Sequence, residues 1–467
     1  MRAVLTPAEM AAVDRSAPEA VEVLVERAGF AVAHAARRMM GGAYGRRVVV
    51  IAGPGNNGAD GRVAARWLDR WGARVTVLDP SGLAADGHPG PADLIVDAAY
   101  GTGLSRPYPP PDPGSVPVLA VDIPSGLSGL TGTGEAMAAA RTVTFASYKP
   151  GLLLGDGPGR AGDVEVADIG LGDLAARSAR MWLVADEDLA LLPSRGRDAH
   201  KWQSAVMIVG GSEAMNGAPL MAARAAMRAG AGYALVGVPG APEGGGLPPG
   251  EQVGVSLPGD DWVADAAEAA GRARALVIGP GLSKRSRRPD GGTGVDTPVG
   301  RFLRVSEAPA VVDADGLTAL GDLESIDAVA SGRSGPLVLT PHEGEYARIT
   351  GHAPGEDRIA DVVATARQTG AVVLLKGSTT VVAGPDGRVL LAASGSSRLA
   401  TAGTGDVLSG VVAAFLARGL PPLEAAALAA HVHGRAAGLG PREGLVATDL
   451  PDLVSVFLSD QVGERGR

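Results

Sequence analysis

The sequence predicts an α/β fold in two domains, each built from strands that alternate with helices. Three observations carry this expectation. The chain has 467 residues, more than one ordinary core accommodates. Short continuous apolar runs such as Val48-Val49-Val50-Ile51 have the form of strands buried on both faces of a parallel sheet. Such runs alternate with helical patterns in two successive series, as doubly wound domains do. The composition agrees: 46% of residues are hydrophobic and 20% charged, as in packed globular domains. Only 3% are aromatic, so the cores must be made of Val, Leu, Ile and Ala, while 69 Gly and 34 Pro imply many tight loops.

Taken in order, Thr6-Pro7-Ala8-Glu9 marks a helix start. Thr6 caps it, Pro7 suits its first position and Glu9 completes a capping box. A second helix carries Val21, Leu24, Val25, Ala28, Val32 and Met39 at helical spacing and stops at Gly41-Gly42. Strands are then expected at 48–51, 75–78, 94–96, 118–122, 143–145 and 164–169. A helix bearing Val63, Trp67, Leu68 and Trp71 follows the first of them. The stretch 170–199 forms a junction, dividing the chain into domains at 1–175 and 190–460. The second series places strands at 206–209, 234–238, 275–278, 310–313, 337–340 and 372–375, closed by helices at 405–418 and 423–437. The Gly-, Pro- and charge-rich stretches 240–250 and 285–298 are expected to be mobile loops, and the residues after 458 a loose tail.

The bulk properties exclude several function classes. With 42 basic and 51 acidic residues the net charge is −9, and no basic stripe is visible, so nucleic acid is not an expected partner. Anionic small ligands remain open to it, because backbone N–H groups bind them without a basic surface. There is no cysteine, which removes disulfides, thiolate catalysis and thiolate metal sites. The N-terminus has no apolar signal-peptide core, and no apolar run approaches membrane-spanning length. A cytoplasmic protein with no membrane partner is expected.

Chemistry-bearing residues gather at strand ends. Gly53-Pro54-Gly55-Asn56-Asn57-Gly58-Ala59-Asp60-Gly61 lies between a strand and a helix, where ligands bind in open parallel sheets. Alone, this loop also reads as a structural turn. Two further strand ends carry Asp97, followed by Ala98 through Pro107, and Asp122, followed by Ile123-Pro124-Ser125-Gly126. Taken singly, each Asp is first of all a loop or helix cap. Three converging loops favour a site. Asp97, Asn57 and Ser125 offer hard oxygen ligands for a cation, and Asp122 a proton-transfer group.

These loops, with Leu5-Thr6-Pro7-Ala8-Glu9-Met10 and Lys149-Pro150-Gly151, resemble the NAD(P)H-hydrate epimerases, the YjeF N-terminal family, over roughly residues 1 to 172. The resemblance implies a Rossmann-like domain that interconverts the R and S forms of NADHX and NADPHX with a bound potassium ion. By motif, Asn57, Asp97 and Ser125 hold potassium. Substrate contacts fall on Asn56, Asn57, Gly58, Ala59 and Asp60, on Gly101, Thr102, Gly103, Leu104, Ser105, Arg106 and Pro107, and on Asp122, the acid/base. Ala59 stands where the family carries Gly, which matters only if the backbone there needs a positive φ.

The most informative later segment is Ala400-Thr401-Ala402-Gly403-Thr404-Gly405-Asp406. It runs into an apolar helical face made by Val407, Leu408, Val411, Val412, Phe415 and Leu416. The free N–H groups of such a helix start suit a transferring phosphoryl group, and Asp406 sits beside them, able to take a proton from a hydroxyl. Asp406 alone reads equally as a partner of the helix dipole. Other strand ends bring Gly279-Pro280-Gly281, Asp313-Ala314-Asp315, His342-Glu343-Gly344-Glu345 and Lys376-Gly377-Ser378-Thr379-Thr380. A lysine such as Lys376 is most often a solvated surface group, and His342 could be a packed loop residue.

With His200-Lys201, Val209-Gly210-Gly211-Ser212 and Gly217-Ala218-Pro219, these runs resemble the ADP- or ATP-dependent NAD(P)H-hydrate dehydratases of the ribokinase-like superfamily, over roughly 195 to 440. The fold class is then α/β in two domains, an N-terminal Rossmann-like doubly wound sheet and a C-terminal ribokinase-like α/β domain. By resemblance, Ala218, Gly281, His342 and Asp406 contact the hydrated cofactor. Lys376, Gly377, Ser378, Thr379, Thr380 and Gly405 contact ADP or ATP, magnesium bridges the nucleotide phosphates, and Asp406 is the base. Two segments depart from the family pattern: Trp202-Gln203-Ser204, where small residues are usual, and 394–398, which lacks an Asn-Pro run. The family tends to form homo-oligomers. Two alternatives stay open: a ribokinase-like small-molecule kinase, such as a vitamin-precursor kinase, fused to a Rossmann-like domain, or an N-terminal domain that only binds ligands.

Overall fold

The computed structural model describes residues 1–82, 87–104, 106–241, 247, 250–259, 261–286, 288 and 291–463. The chain divides into two compact units, Arg2–Trp182 and Leu183–Arg467. Among the described residues no helix is long and apolar enough to cross a membrane.

In the N-terminal unit a short strand, Arg2–Val4, precedes α1 (Pro7–Arg15). The capping box of α1 forms as the sequence expects: the Glu9 N–H donates to Thr6 Oγ1, and the Thr6 N–H to the Glu9 carboxylate at 2.8 Å. After α2 (Val21–Met39), the chain alternates β1 (Arg47–Ala52), α3 (Asn56–Arg70), β2 (Arg74–Leu78), β3 (Leu94–Ala98), β4 (Val118–Val121), β5 (Arg141–Phe145) and β6 (Asp163–Ala167). The six strands are all parallel, in the order β2-β1-β3-β4-β5-β6. Leu94–Ala98 and Val118–Val121 are buried at every position, as helices on both faces of a parallel sheet require. The chain turns from β1 to β2 on one side and returns to β3 on the other. The crevice between β1 and β3 is thus a topological switch point, where open sheets bind ligands.

The C-terminal unit contains β7 (Ala205–Val209), α4 (Gly217–Arg228), β8 (Tyr233–Pro239), β9 (Val253–Leu257), β10 (Ala275–Ile278), β11 (Ala310–Val312), β12 (Leu337–Leu339), α5 (Glu343–Thr350) and β13 (Val372–Leu375). These are followed by β14 (Thr380–Ala383), β15 (Val389–Ala392), α6 (Thr404–Ala417), α7 (Pro422–Leu439) and α8 (Leu450–Gly463). The strand order is β15-β14-β13-β12-β11-β10-β7-β8-β9, parallel from β13 to β9 and antiparallel across β14 and β15. Its switch point lies between β7 and β10. Helix α6 is buried along almost its whole length and packs on α4 and α7.

Five strands go beyond the sequence expectation: the short Arg2–Val4 and Met181–Leu183, and β9, β14 and β15. Of the tail expected after 458, residues 459–463 continue α8, whose Leu450, Val454 and Phe457 bury a helical face against the neighbouring helices, and residues 464–467 lie outside the described residues. The stretches 240–250 and 285–298 lie partly outside the described residues, and Pro298 opens a helix capped by Thr297.

Candidate active sites

In the N-terminal unit the loops after β1, β3 and β4 surround a cavity of about 600 Å³. Asn56, Asn57, Asp60, Gly101, Thr102, Gly103, Leu104, Arg106 and Asp122 line it, with Asp14 from α1 and Lys149 from the loop after β5. Gly58, Ala59 and Pro107 are not among its walls, and Ser105 lies outside the described residues. Gly58 has a packing reason: a Cβ there would come within 1.8 Å of the Gly53 carbonyl oxygen. Ala59 lies inside α3 and is absent from the positive-φ residues, so its methyl replaces a glycine hydrogen without backbone strain.

Asp122 is held in an uncommon conformation, φ 65°, with its N–H bonded to the Val143 carbonyl at 2.7 Å. Its carboxylate accepts from Lys149 Nζ at 2.6 Å and from Thr144 Oγ1 at 3.0 Å. The Lys149 ammonium also donates to Thr144 Oγ1 at 2.8 Å and to the Phe145 carbonyl at 3.0 Å. Its side chain is only 1% exposed. Oxygens surround the buried ammonium, so Lys149 fixes Asp122 in place and supplies a counter-charge beside it. Lys149→Met leaves the Asp122 carboxylate without its ion-pair partner. It is expected to destabilise the N-terminal unit by about 3–5 kcal/mol, read as a lower denaturation midpoint. Pairing it with Asp122→Asn should recover part of that loss.

Beneath the cavity Asp97 is fully buried at the end of β3. Among the described residues its carboxylate receives only the N–H groups of Ser125, at 2.9 Å, and Ala99, at 3.4 Å. Burial raises its pKa above the usual carboxylate range, and these two bonds offset only part of that. Ser125 Oγ bonds to Tyr100, and the Asn57 side-chain nitrogen is buried without a partner. Gly101 packs beside the Asn57 side chain, so all three residues gather at the same end of the sheet. A carboxylate with no cation beside it, an amide and a hydroxyl make a hard oxygen set that fits a monovalent cation. Asp60 is 7% exposed. Burial, reinforced by the charges of Asp122 and Asp14, pushes its pKa up to about 8.

In the C-terminal unit Gly403 caps α6 in the left-handed conformation, φ 92°, and offers no side chain to the first amides of the helix. Asp406 sits in that first turn. Burial, then the charges of Asp313, Glu345 and Asp315, raise its pKa to about 7 against the opposing pull of Lys376. Lys376 Nζ reaches Asp313 at 2.9 Å and Glu345 at 3.7 Å. It also stands where a Cβ on Gly405 would meet it at 3.3 Å. Burial opposes the Lys376 charge, but Asp313 and Glu345 hold its pKa above the ordinary lysine value. Ser409 Oγ donates to the other Asp313 oxygen at 2.7 Å, tying α6 to the end of β11.

Gly281 and Ala218 meet at the β7/β10 crevice, where a Cβ on Gly281 would lie 3.3 Å from that of Ala218. His342 caps α5: its Nδ1 accepts the Gly344 and Glu345 N–H groups, and more than half of its side chain is exposed. Gly377 packs near Arg358, Thr379 is buried, and Thr380 begins β14. Sequence reasoning assigned no role to Lys149, Asp313, Glu345, Ser409 or His433. His433 is a buried histidine of α7 whose pKa falls to about 4 through burial and the nearby Lys376 charge. The strand-end positions of Asp313 and Glu345 and the Lys149-Pro150-Gly151 run offered a signal; Ser409 and His433 offered none.

Comparison with known proteins follows the same division. Residues 206–458 match the family model described as NAD(P)H-hydrate dehydratase, and residues 21–88 and 78–151 match that of the YjeF-related protein N-terminus. The bifunctional NAD(P)H-hydrate repair enzyme of Salinibacter ruber is 38% identical over 99% of this chain and 97% of its own length. That of Moorella thermoacetica is 36% identical over 97% and 96%. The ADP/ATP-dependent NAD(P)H-hydrate dehydratase of Bacillus subtilis, co-crystallised with ATP and magnesium, is 28% identical over 59% of this chain and 97% of its own, with a TM-score of 0.46. With relatives of this identity matched from end to end, the chain belongs to the family of bifunctional NAD(P)H-hydrate repair enzymes.

Proposed function

We propose that each domain performs one half of the repair. The N-terminal site inverts C6 of the hydrated nicotinamide ring of NADHX and NADPHX. The C-terminal site removes the C6 hydroxyl from the S epimer, using ADP or ATP. The observation that carries this reading is Asp406, a carboxylate with a pKa near neutrality, one residue from Gly405 at a glycine-capped helix start.

At the C-terminal site Asp406 takes the proton of the C6 hydroxyl as a phosphoryl group is transferred to that oxygen. The amides of Thr404 and Gly405 receive the transferring group, and Lys376, steadied by Asp313 and Glu345, supplies charge beside it. Phosphate, a far better leaving group than hydroxide, then departs from C6 as C5 loses a proton, leaving the C5–C6 double bond. Lys376, Gly377, Ser378, Thr379, Thr380 and Gly405 are assigned to the nucleotide, and Ala218, Gly281 and His342 to the hydrated cofactor. Among the described residues no group of three or more His, Asp or Glu is arranged to hold a metal. Magnesium is therefore assigned to the nucleotide phosphates, where it neutralises charge. At the N-terminal site Asp122 and Lys149 handle protons and charge around C6. Asn57, Asp97 and Ser125 would hold potassium, which would supply fixed positive charge to the site.

The test is to incubate the chain with mixed R and S NADHX, magnesium and either ADP or ATP. Complete return of reduced-nicotinamide absorbance is expected, with one inorganic phosphate released per NADH. Return without phosphate contradicts the phosphorylation step. No return at all is the outcome that a small-molecule kinase would give.

A further inference from the structure

We propose that Asp60 is the second acid/base group of the epimerase, serving the ring face opposite the one that Asp122 serves. This rests on the epimerase reading of the N-terminal site and goes beyond a substrate contact for Asp60.

Inverting C6 through loss and return of its hydroxyl makes a paired demand. A proton must reach the departing oxygen on one face, and a proton must be taken from the arriving water on the other. Two carboxyl groups from different elements face the same cavity. Asp122 comes from the end of β4 and Asp60 from the first turns of α3. They differ in the way the chemistry needs. Asp122 is paired with Lys149 at 2.6 Å. Among the described residues no hydrogen bond or ion pair reaches the Asp60 carboxyl, although it is 7% exposed. The charged groups facing it are Asp14 of α1 and Asp122, with the Lys149 ammonium turned onto Asp122. A buried carboxyl between two carboxylates keeps its proton at neutral pH. The site therefore holds one acid and one base.

The step balances. Asp60 gives its proton to the C6 hydroxyl; the C6–O bond breaks with its electron pair on the departing water, and the ring nitrogen lone pair forms the C6–N1 double bond. Water then adds to C6 from the opposite face, its proton passes to Asp122, and N1 regains its pair. The reverse epimerisation uses the two groups in exchanged roles, and the proton returns between them through water in the cavity.

The experiment measures R-to-S interconversion of NADHX by the full chain without nucleotide, across pH, for wild type, Asp60→Asn and Asp60→Glu, with thermal melts alongside. Asp60→Asn is expected to lower kcat by roughly 10²–10⁴-fold with KM little changed, and Asp60→Glu to recover part of the loss. Wild-type kcat is expected to fall as pH rises through about 8, where Asp60 loses its proton. A folded Asp60→Asn enzyme within tenfold of wild-type kcat, or a loss confined to KM, overturns the proposal. So does a wild-type profile flat through that range, which stands as a test even if the variant fails to fold. A wild-type chain that leaves the epimers unchanged instead overturns the epimerase reading itself.

Discussion

Asp406→Asn is expected to lower the dehydration rate by roughly 10²–10⁴-fold while epimerisation in the same polypeptide continues at the wild-type rate. The asparagine keeps the size and the helix-start position of the aspartate but cannot accept the hydroxyl proton. Its neutral amide also removes one negative charge from a cluster of Asp313, Asp315 and Glu345 that repels it. Fold stability should therefore hold or rise, which separates loss of the base from loss of the fold. The pH dependence has a definite sign. As the proposed base, Asp406 must have its proton off, and its pKa stands near 7. Dehydration should fall as pH drops through about 7, and the variant should lose that dependence. A rate profile flat through this range, or a variant retaining a tenth of the activity, contradicts a base role for Asp406.

The second large effect is at the other site. Asp122→Asn is expected to lower epimerisation by roughly 10²–10⁴-fold without altering dehydration of pure S substrate. Here the substitution also has a structural consequence. Lys149, 1% exposed, loses the carboxylate it is hydrogen-bonded to and keeps Thr144 Oγ1 and the Phe145 and Ser147 carbonyls as acceptors. Burying an ammonium without a counter-charge is costly, so a lower melting temperature should accompany the loss of rate. Residue 122 also occupies φ 65°, a region asparagine tolerates well, so backbone strain adds little. This makes Asn a better probe than Ala at this position. An Asp122→Asn chain that equilibrates the epimers at the wild-type rate would support a ligand-binding role for the N-terminal domain.

The fold was legible in the sequence where burial is two-sided. Strands such as Ala275–Ile278 and Val372–Leu375 are apolar at every position, and their bounds agree with the expectation. Val253–Leu257 has exposed or half-buried residues through its first four positions and contains Gly254, so nothing in its composition separates it from a loop. Thr380–Ala383 and Val389–Ala392 pair antiparallel around Gly384-Pro385-Asp386-Gly387. The run Lys376 to Thr380 had drawn a chemical reading that masked the strand beginning at Thr380. The first and last helices show the same contrast. Thr6, Pro7 and Glu9 are a local signal and form a local capping box. Helix α8 is held by Leu450, Val454 and Phe457, which pack on other helices, a partnership that local pattern does not display.

At the sites, residue types at strand ends announced themselves, but partnerships did not. Asp122 was visible from its loop. Lys149 belongs to a motif in the sequence but with no role attached, and only the folded loop after β5 turns it inward onto Asp122. The same holds for Lys376, whose one-dimensional reading is a solvated surface charge, whereas Asp313 and Glu345 hold it over Gly405. Asp60 differs from Asp122 only in lacking such a partner, a property of the fold and not of its motif.

The central claim is that two sites, one in each domain, act in series on one substrate. Its most direct test follows absorbance of reduced nicotinamide from pure R-NADHX with ADP or ATP and magnesium, using Asp122→Asn, Asp406→Asn and an equal mixture of the two variants. Each variant alone should return NADH no faster than the uncatalysed epimerisation or dehydration permits, and the mixture should restore return to near the wild-type rate. Rapid return by either variant alone, or a mixture as inactive as its components, would contradict it.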